Sequence, residues 1–204
     1  MAQRHSGYER KDEYSTPSWV TECVIPYLRN LKDEHGARRI RTVWEPACGK
    51  GAMSAVLGQH FDVISSDISG GIDFLKQNAP QFHFDAVVTN PPWGRYQGYR
   101  DIGRKFLEQA LKVTAPKRGV VALLFPSEYD CGKTRREYFA DCPMFAKKIV
   151  LTRRIVWFKR NDGKKEAPSC NHAWFIWDWR HKGAPTLAYE PIEDLANDQL
   201  RQVA

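Results

Sequence analysis

Apolar and polar positions along this chain alternate in blocks that predict strands and helices in turn. β-Like apolar runs occupy residues 40–44, 61–66, 82–89, 120–125, 148–151 and 173–179, and helical patterns occupy residues 16–31, 52–57, 102–113 and 134–140. Residues 120–125 are apolar at every position, which is typical of a strand buried on both faces of a sheet. Strands that alternate with helices form βαβ units. We therefore expect an α/β protein with a Rossmann-like, largely parallel twisted sheet flanked by helices in a single domain.

The first helical pattern, at residues 16–31, contains an interruption. Aromatic or apolar residues recur at every fourth position from Trp19 to Leu31, as they do on one face of a helix. Pro26 lies inside this pattern, and a proline ring clashes with the preceding helical turn. We expect the helix to be kinked or split at this residue.

Length and composition are those of one soluble globular domain. The chain has 204 residues, of which 42% are hydrophobic and 27% are charged. No apolar run approaches the roughly 20 residues that span a bilayer, and the polar N-terminus is neither a signal peptide nor an anchor. We therefore expect a cytoplasmic protein without a membrane partner. The five cysteines form no C-x-x-C pair, which indicates reduced thiols and no metal site.

Charge is distributed unevenly along the chain. The formal net charge is +7, whereas residues 187–204 hold four acidic side chains and one basic side chain. A basic body with an acidic tail is typical of a protein that binds a polyanion, although a solvated, lysine-rich surface would have the same composition. We divide the chain into a mobile arm at residues 1–14, a folded domain at residues 15–186 and an acidic tail at residues 187–204.

A glycine-containing turn follows the apolar run at residues 40–44. Its sequence is Glu-Pro-Ala-Cys-Gly-Lys-Gly, from Glu45 to Gly51. The two glycines allow positive φ and let the backbone approach a ligand, and the next helix begins with free N–H groups that favour an anion. The Walker loop does not match, nor does the dinucleotide fingerprint, because Ser54 stands where that fingerprint needs Gly or Ala. The turn therefore indicates a nucleoside-containing cofactor other than those bound by these two motifs.

Two acidic residues follow at the next predicted strand end. Asp67 comes directly after the run at residues 61–66, where a carboxylate can accept both hydroxyl hydrogens of a ribose. A turn aspartate or a helix cap before Ile68 would occupy the same position. Asp73 follows a Gly-Gly turn, so it could accept a hydrogen bond from a purine amine while Phe74 packs against the ring.

The second motif, Asn90-Pro91-Pro92-Trp93, directly follows the run at residues 82–89. An exocyclic aromatic amine is a poor nucleophile because its lone pair is delocalised into the ring. The side-chain oxygen of Asn90 and the carbonyl of Pro91 can accept both amine hydrogens, which stabilises the positive charge that develops on the nitrogen. Trp93 offers a face on which the base can stack. Ligands of parallel sheets bind beyond the carboxyl ends of the strands, so we expect this motif and the glycine turn at the same edge.

In this order, the motifs resemble those of S-adenosylmethionine-dependent N6-adenine DNA methyltransferases, in particular small phage-type adenine methylases. The resemblance covers residues 14–179 and includes Tyr14-x-Thr16-Pro17, the two motifs above, Ser66-Asp67-Ile68, Asp73-Phe74 and a late strand at residues 172–177. It implies a Rossmann-like methyltransferase fold, S-adenosyl-L-methionine as the cofactor and methylation of the N6 amine of adenine in DNA. Larger members carry a separate target-recognition domain, for which this chain has no room, and this implies relaxed or short sequence specificity.

The same resemblance assigns roles to individual residues. It implies that Thr16 and Pro17 close over the methionine end of the cofactor, that Asp67 holds the ribose and that Asp73 and Phe74 hold the adenine. The cofactor-binding residues that it implies are Thr16, Pro17, Glu45, Pro46, Cys48, Gly49, Gly51, Asp67, Ile68, Asp73 and Phe74. The catalytic residues that it implies are Asn90, Pro91, Pro92 and Trp93.

Two basic stretches that contain aromatic residues are candidate nucleic-acid contacts. They lie at residues 94–100 and 153–165. Basic side chains neutralise phosphates and aromatic rings stack on bases, while flexible solvated loops are the alternative. A base inside a duplex must rotate out of the helix before it can stack on Trp93. The candidate residues are Arg95, Tyr96, Tyr99, Arg100, Arg153, Arg154, Lys159, Arg160, Lys164 and Lys165.

Other functions share parts of this pattern. RNA adenine-N6 methyltransferases also use an Asn-Pro-Pro-aromatic motif, and protein-glutamine methyltransferases need the same two acceptors, although the basic surface counts against the latter. N4-cytosine methylation has similar amine chemistry, but its enzymes more often have Ser at the first motif position. A catalytically silent nucleic-acid-binding module is disfavoured because it would not need both intact motifs.

Overall fold

The computed structural model describes residues 14–77, 82–94, 98–157 and 170–190. Within these residues, seven strands form one sheet: β1 (Thr42–Glu45), β2 (Asp62–Ser65), β3 (Ala86–Thr89), β4 (Val120–Pro126), β5 (Phe145–Val150), β6 (His172–Asp178) and β7 (Thr186–Tyr189). The α-helices of the same residues are α1 (Ser18–Glu22), α2 (Ile25–Asn30), α3 (Ala52–Leu57) and α4 (Ile102–Thr114).

The strand order across the sheet is β2-β1-β3-β4-β6-β5-β7. Strands β1 to β4 are parallel to one another, β6 pairs antiparallel with both β4 and β5, and β7 is parallel to β5. Only β6 therefore runs against the other described strands, which confirms the predicted Rossmann-like α/β fold with a largely parallel sheet. Strands β1 to β4 end at one edge, called the carboxyl edge below, and β6 begins at that edge.

Apolar side chains cover both faces of the sheet. On one face α1, α2 and α3 pack against Val43, Val88 and Trp174, whereas on the other face α4 packs against Trp44 and Phe175. The indole N–H of Trp174 donates to the carbonyl of Val20 on α1 at 2.8 Å, so this buried polar group is satisfied. Burial of β3 and β4 on both faces explains their continuous apolar sequence.

The first helical pattern is split, as Pro26 predicts. α1 ends at Glu22 and α2 begins at Ile25, which places Pro26 in the first turn of α2, where its missing N–H breaks no helical bond. The short helix expected at residues 134–140 is instead a 3-10 helix, Lys133–Tyr138. The longest helix in the described residues, α4, has 13 residues, and none of these helices is long and apolar enough to cross a bilayer.

The boundary expected before residue 187 falls inside β7. Strand β7 pairs with β5 along its length, and Glu190, the next residue, is 3% exposed. The Glu190 carboxylate accepts hydrogen bonds from Thr152 Oγ1 at 2.9 Å and from Arg153 Nε at 3.0 Å. These partners compensate for the burial of the carboxylate. The pairing of β7 and the contacts of Glu190 therefore extend the folded region to residue 190. The rest of the expected tail, residues 191–204, and residues 1–13 of the expected arm lie outside the described residues.

Candidate active site

The turn after β1 is tied to the end of β2. The N–H of Gly49 donates to Asp67 Oδ2 at 2.9 Å, and the N–H of Cys48 donates to the carbonyl of Ser66 at 3.1 Å. Gly49 and Gly51 have φ of 50° and 81°, and a Cβ on either would meet no atom within 4 Å. The glycine turn thus adopts the left-handed conformation that glycine permits, and its backbone faces open space at the carboxyl edge.

Asp67 caps the short 3-10 helix Ile68–Gly70 and also holds the glycine turn. Its Oδ1 accepts from Ser69 N at 2.9 Å and from Ser69 Oγ at 2.7 Å. Partial burial opposes ionisation, but the hydrogen bonds from Ser69 and Gly49 outweigh it and hold the pKa of Asp67 below its ordinary value. The cap that the sequence offered as an alternative role is therefore present, and the ionised carboxylate keeps acceptor capacity on Oδ2 for a ribose hydroxyl.

Glu45 lies beneath the glycine turn and is 2% exposed. Ser54 Oγ donates a hydrogen bond to its Oε2. Burial raises the pKa of Glu45 to about 7; the Ser54 bond opposes the rise, and the nearby charge of Asp67 adds to it. Of the other predicted residues here, Pro46 is buried, and Cys48 is half-buried, so that burial raises the pKa of its thiol.

The residues predicted to hold an adenine ring divide into a core and a surface group. Phe74 is 2% exposed, and its ring lies 5.0 Å from the ring of Trp44 and 5.2 Å from that of Phe106. Its ring is therefore enclosed by the protein core. Ile68 and Ile72 are 49% and 42% exposed, and both flank the acidic turns. Ile72 was not among the predicted residues. The sequence feature that could have identified it is an apolar residue between a Gly-Gly turn and an aspartate.

The side chain of Asn90 is hydrogen-bonded to a residue from the N-terminal part of the chain. Asn90 Nδ2 donates to Thr16 Oγ1 at 3.2 Å, and Thr16 is 6% exposed. Asn90 Oδ1 is buried and has no hydrogen-bond partner within the described part of the chain. The amide nitrogen is the end that faces Thr16, so the oxygen is the end that remains available. Pro17 follows Thr16 at the start of α1, and Pro91 is buried behind Asn90.

Four aromatic rings form a closed circuit beside Asn90. Tyr14 lies 6.4 Å from Trp93 and 5.4 Å from Trp157, and His172 lies 5.2 Å from Trp157 and 6.1 Å from Trp93, between ring centroids. We call this set the aromatic circuit. We expected Tyr14 at the end of the arm and in the motif with Thr16 and Pro17, Trp157 in a basic stretch and His172 in a late strand. Residues so distant in sequence meet here because α1, β3 and β6 converge at the carboxyl edge.

The start of α4 supports Trp93 from the other side. Ile102 N donates to the carbonyl of Gly94 at 3.0 Å. A Cβ on Gly103 would lie 2.9 Å from Phe125 Cε1, 3.0 Å from Tyr129 Oη and 3.3 Å from Trp93 Cβ. Glycine at this position therefore lets α4 approach Trp93 closely, a role that the sequence pattern did not reveal.

The described nucleic-acid candidates differ in their surroundings. Tyr99 is 40% exposed and Arg100 is exposed. Arg153 is bound to Glu190 and lies 4.3 Å over the ring of Trp19, and Arg154 Nε donates to Asn171 Oδ1 at 2.9 Å. Both of these arginines therefore make contacts within the protein. The remaining candidates lie outside the described residues: Arg95, Tyr96, Lys159, Arg160, Lys164 and Lys165.

Comparison with solved structures identifies the fold. A Listeria monocytogenes protein assigned to the class I S-adenosylmethionine-dependent methyltransferases superposes with a TM-score of 0.64 at 16% identity, over 91% of this chain and 68% of that one. The methyltransferase subunit of a type I restriction-modification system from Streptococcus thermophilus gives 0.55 at 16% identity, over 81% of this chain and 45% of that one. A modification subunit assigned to a type I restriction enzyme of Vibrio vulnificus gives 0.57 at 13% identity, over 93% and 52%.

This chain therefore spans about two thirds of the first of these proteins and about half of the other two. No protein-family model matches the sequence, and no curated protein matches it. At these identities the likeness concerns the fold. The chain has the Rossmann-like fold of class I methyltransferases, with the glycine turn and Asn90 at the carboxyl edge of its sheet.

Proposed function

We propose that this protein is an S-adenosyl-L-methionine-dependent methyltransferase that methylates the exocyclic N6 amine of adenine in DNA. The observation that carries the proposal is the state of Asn90. Its oxygen is buried without a hydrogen-bond partner in the described part of the chain, while its nitrogen is held by Thr16. Buried polar atoms are almost always paired, so an acceptor in this state suits a ligand that brings a hydrogen-bond donor.

An amino group of a nucleobase is such a donor. It carries two hydrogens and becomes positively charged as it attacks a methyl group. Asn90 Oδ1 and the Pro91 carbonyl are fixed acceptors that stabilise this developing charge without having to reorient. Trp93 places a ring beside them, so that the base is held by stacking as well as by hydrogen bonds.

The residues around the glycine turn fit a nucleoside cofactor with a charged tail. Gly49 and Gly51 leave space against their backbone, Asp67 offers an ionised acceptor for ribose hydroxyls, and Glu45 lies below the turn near the expected methionine end. Exposed apolar side chains on Ile68 and Ile72 offer packing for an adenine ring. When bound, S-adenosyl-L-methionine supplies an activated methyl group on sulfur.

A nucleic-acid substrate is supported by charge and by the structural neighbours. The net charge is +7, and Tyr99 and Arg100 are exposed after the Asn90–Trp93 motif. Two of the neighbours are modification subunits of restriction systems, which favours DNA over RNA. We propose that the target base leaves the duplex to reach Trp93, and that recognition is short or relaxed.

Labelled methyl transfer to separate substrates tests this proposal. The protein is incubated with S-adenosylmethionine carrying a labelled methyl group and with DNA, RNA or a protein extract, and each product is hydrolysed to its units. We expect label in N6-methyladenine from DNA, and none with an Asn90→Ala variant. Label in RNA adenine, N4-methylcytosine or methylglutamine would identify a substrate other than the proposed one. Absence of transfer to every pool would refute the proposed methyltransferase activity.

A further inference from the structure

His172 is a buried polar residue at the carboxyl edge with one unpaired ring nitrogen. It is the first residue of β6, pairs with Pro126 of β4 and is 1% exposed. Its Nδ1 has no hydrogen-bond partner among the described residues. A buried polar atom without a partner is unfavourable, and at the edge of a binding site it indicates a group that arrives with the ligand.

His172 and Asn90 lie on the same face of the sheet. Side chains alternate between faces along a strand, and Val88 and Trp174, two residues from Asn90 and His172, belong to one core cluster. Strand β4 lies between β3 and β6, which separates the two backbones by about 10 Å. Side chains that extend from the two strands into this gap can contact neighbouring atoms on one edge of a purine.

The contact with Cys170 is compatible with the tautomer of His172 that carries its hydrogen on Nδ1. Nε2 lies 3.8 Å from Sγ of Cys170, and a thiol that donates its proton to Nε2 leaves the ring hydrogen on Nδ1. Burial lowers the pKa of His172 to about 4, so the ring is neutral at physiological pH. Nδ1 is then a neutral donor held between the rings of Trp93 and Trp157.

We propose that Nδ1 of His172 donates a hydrogen bond to a ring nitrogen of the target base next to its amino group. This inference rests on the proposed function and extends it from an amine acceptor to a recognition contact. Adenine has unprotonated nitrogens at N1 and N7, on either side of its amine. The side-chain amide of glutamine has no such nitrogen, so the contact favours a nucleobase over a protein substrate. His172 is thus a specificity-determining residue for the proposed reaction.

Base analogues that lack one ring nitrogen test the contact. Oligonucleotides carry adenine, 1-deazaadenine or 7-deazaadenine at the methylated position, and kcat/KM is measured for the wild type and for His172→Phe. The phenylalanine keeps a ring between Trp93 and Trp157 but has no donor. We expect the wild type to prefer adenine over one of the two analogues by about tenfold, and His172→Phe to treat adenine and that analogue alike.

Controls separate this contact from folding and from the proposed activity. Tyr14→Phe alters another ring of the aromatic circuit and should keep the wild-type discrimination. If His172→Phe does not fold, as judged by its thermal melting, His172→Gln is measured instead, and partial discrimination is expected because Gln retains a donor. An unchanged adenine preference in the variant, or no preference in the wild type, overturns the role of His172. Failure of the wild type to methylate ordinary adenine refutes the proposed function itself.

Discussion

Asn90 and Thr16 lie 74 residues apart in the chain and share one hydrogen bond, from Asn90 Nδ2 to Thr16 Oγ1 at 3.2 Å. In this arrangement the amide oxygen is buried and has no partner among the described residues. The hydroxyl of Thr16 therefore holds the nitrogen end of the Asn90 amide in place.

Loss of this hydroxyl should lower turnover. In Thr16→Val the amide of Asn90 loses its anchor, and we expect kcat to fall about tenfold, which corresponds to one hydrogen bond of about 1.4 kcal/mol. Thr16→Ser keeps a hydroxyl and should retain most of the activity. Steady-state kinetics and calorimetric titration of the cofactor separate the effects. A large loss of cofactor affinity with unchanged kcat would make Thr16 a cofactor contact instead.

Removing the acceptor itself should have a stronger effect. Asn90→Ala deletes the buried oxygen, and removal of one preorganised group of this kind costs about 100-fold to 1000-fold in kcat. Cofactor affinity should stay within a few-fold, because Asn90 is expected to contact the target rather than the donor. The measurement is single-turnover methyl transfer together with cofactor titration. Comparable activity in the variant would remove Asn90 from the reaction.

Asp67 should control cofactor affinity. Asp67→Asn removes the ionised acceptor, and hydrogen bonds to charged groups contribute about 1.5–3 kcal/mol, so we expect Kd to rise by about 10-fold to 150-fold. The variant also loses charge at a helix cap, and its melting temperature is recorded beside the titration. Asp62→Asn, an exposed aspartate at the other end of β2, is the matched control and should bind normally. Equal affinities for both variants would exclude Asp67 from the site.

Glu45 should make the protein less stable as pH rises towards neutrality. Its pKa is about 7 in the folded protein, against about 4.3 for a glutamate in an unfolded chain. Between these values the folded state keeps a proton that the unfolded state has released, so the free energy of unfolding falls with increasing pH, by up to about 4 kcal/mol. Urea titrations across this range should show the decrease in the wild type but not in Glu45→Gln. Identical pH profiles of stability for the wild type and Glu45→Gln would contradict the raised pKa of Glu45.

Gly103 should tolerate no side chain. In Gly103→Ala the new Cβ would press on Phe125, Tyr129 and Trp93 at 2.9–3.3 Å, and overpacking of this kind costs about 1–3 kcal/mol. We expect a lower melting temperature and a reduced kcat, because α4 would shift away from Trp93. Gly132→Ala is the control, because the three atoms nearest to its Cβ would all belong to the Arg135 side chain, the first of them at 3.3 Å. Equal effects in both variants would remove the special role of Gly103.

The sequence predicted the fold well because its strong patterns are local. The β-like run at residues 82–89 ends in β3, the continuously apolar residues 120–125 form most of β4, and Gly49 and Gly51 have the positive φ that glycine was expected to supply. Strand β7 was not predicted, because it is short, lies at the sheet edge and alternates only weakly between apolar and polar residues. The burial of Glu190 depends on Arg153 and Thr152, which only the fold brings near.

The composition of the site was less predictable than its position. Motif order placed the glycine turn and Asn90 at one edge, since parallel strands end together. The contacts of Thr16, Tyr14 and His172 at that edge are tertiary and leave no local pattern. Phe74 illustrates the reverse case, because an aromatic residue after an acidic turn can face either a ligand or the core, and here it packs in the core.

A crystal structure of the protein with S-adenosylhomocysteine and an adenine-containing oligonucleotide would locate cofactor and target base together. We expect the ribose at Asp67, the sulfur between the glycine turn and Asn90, and an adenine amine within hydrogen-bond distance of Asn90 Oδ1. A cofactor bound away from the carboxyl edge, or a base whose amine does not contact Asn90, would contradict this expectation.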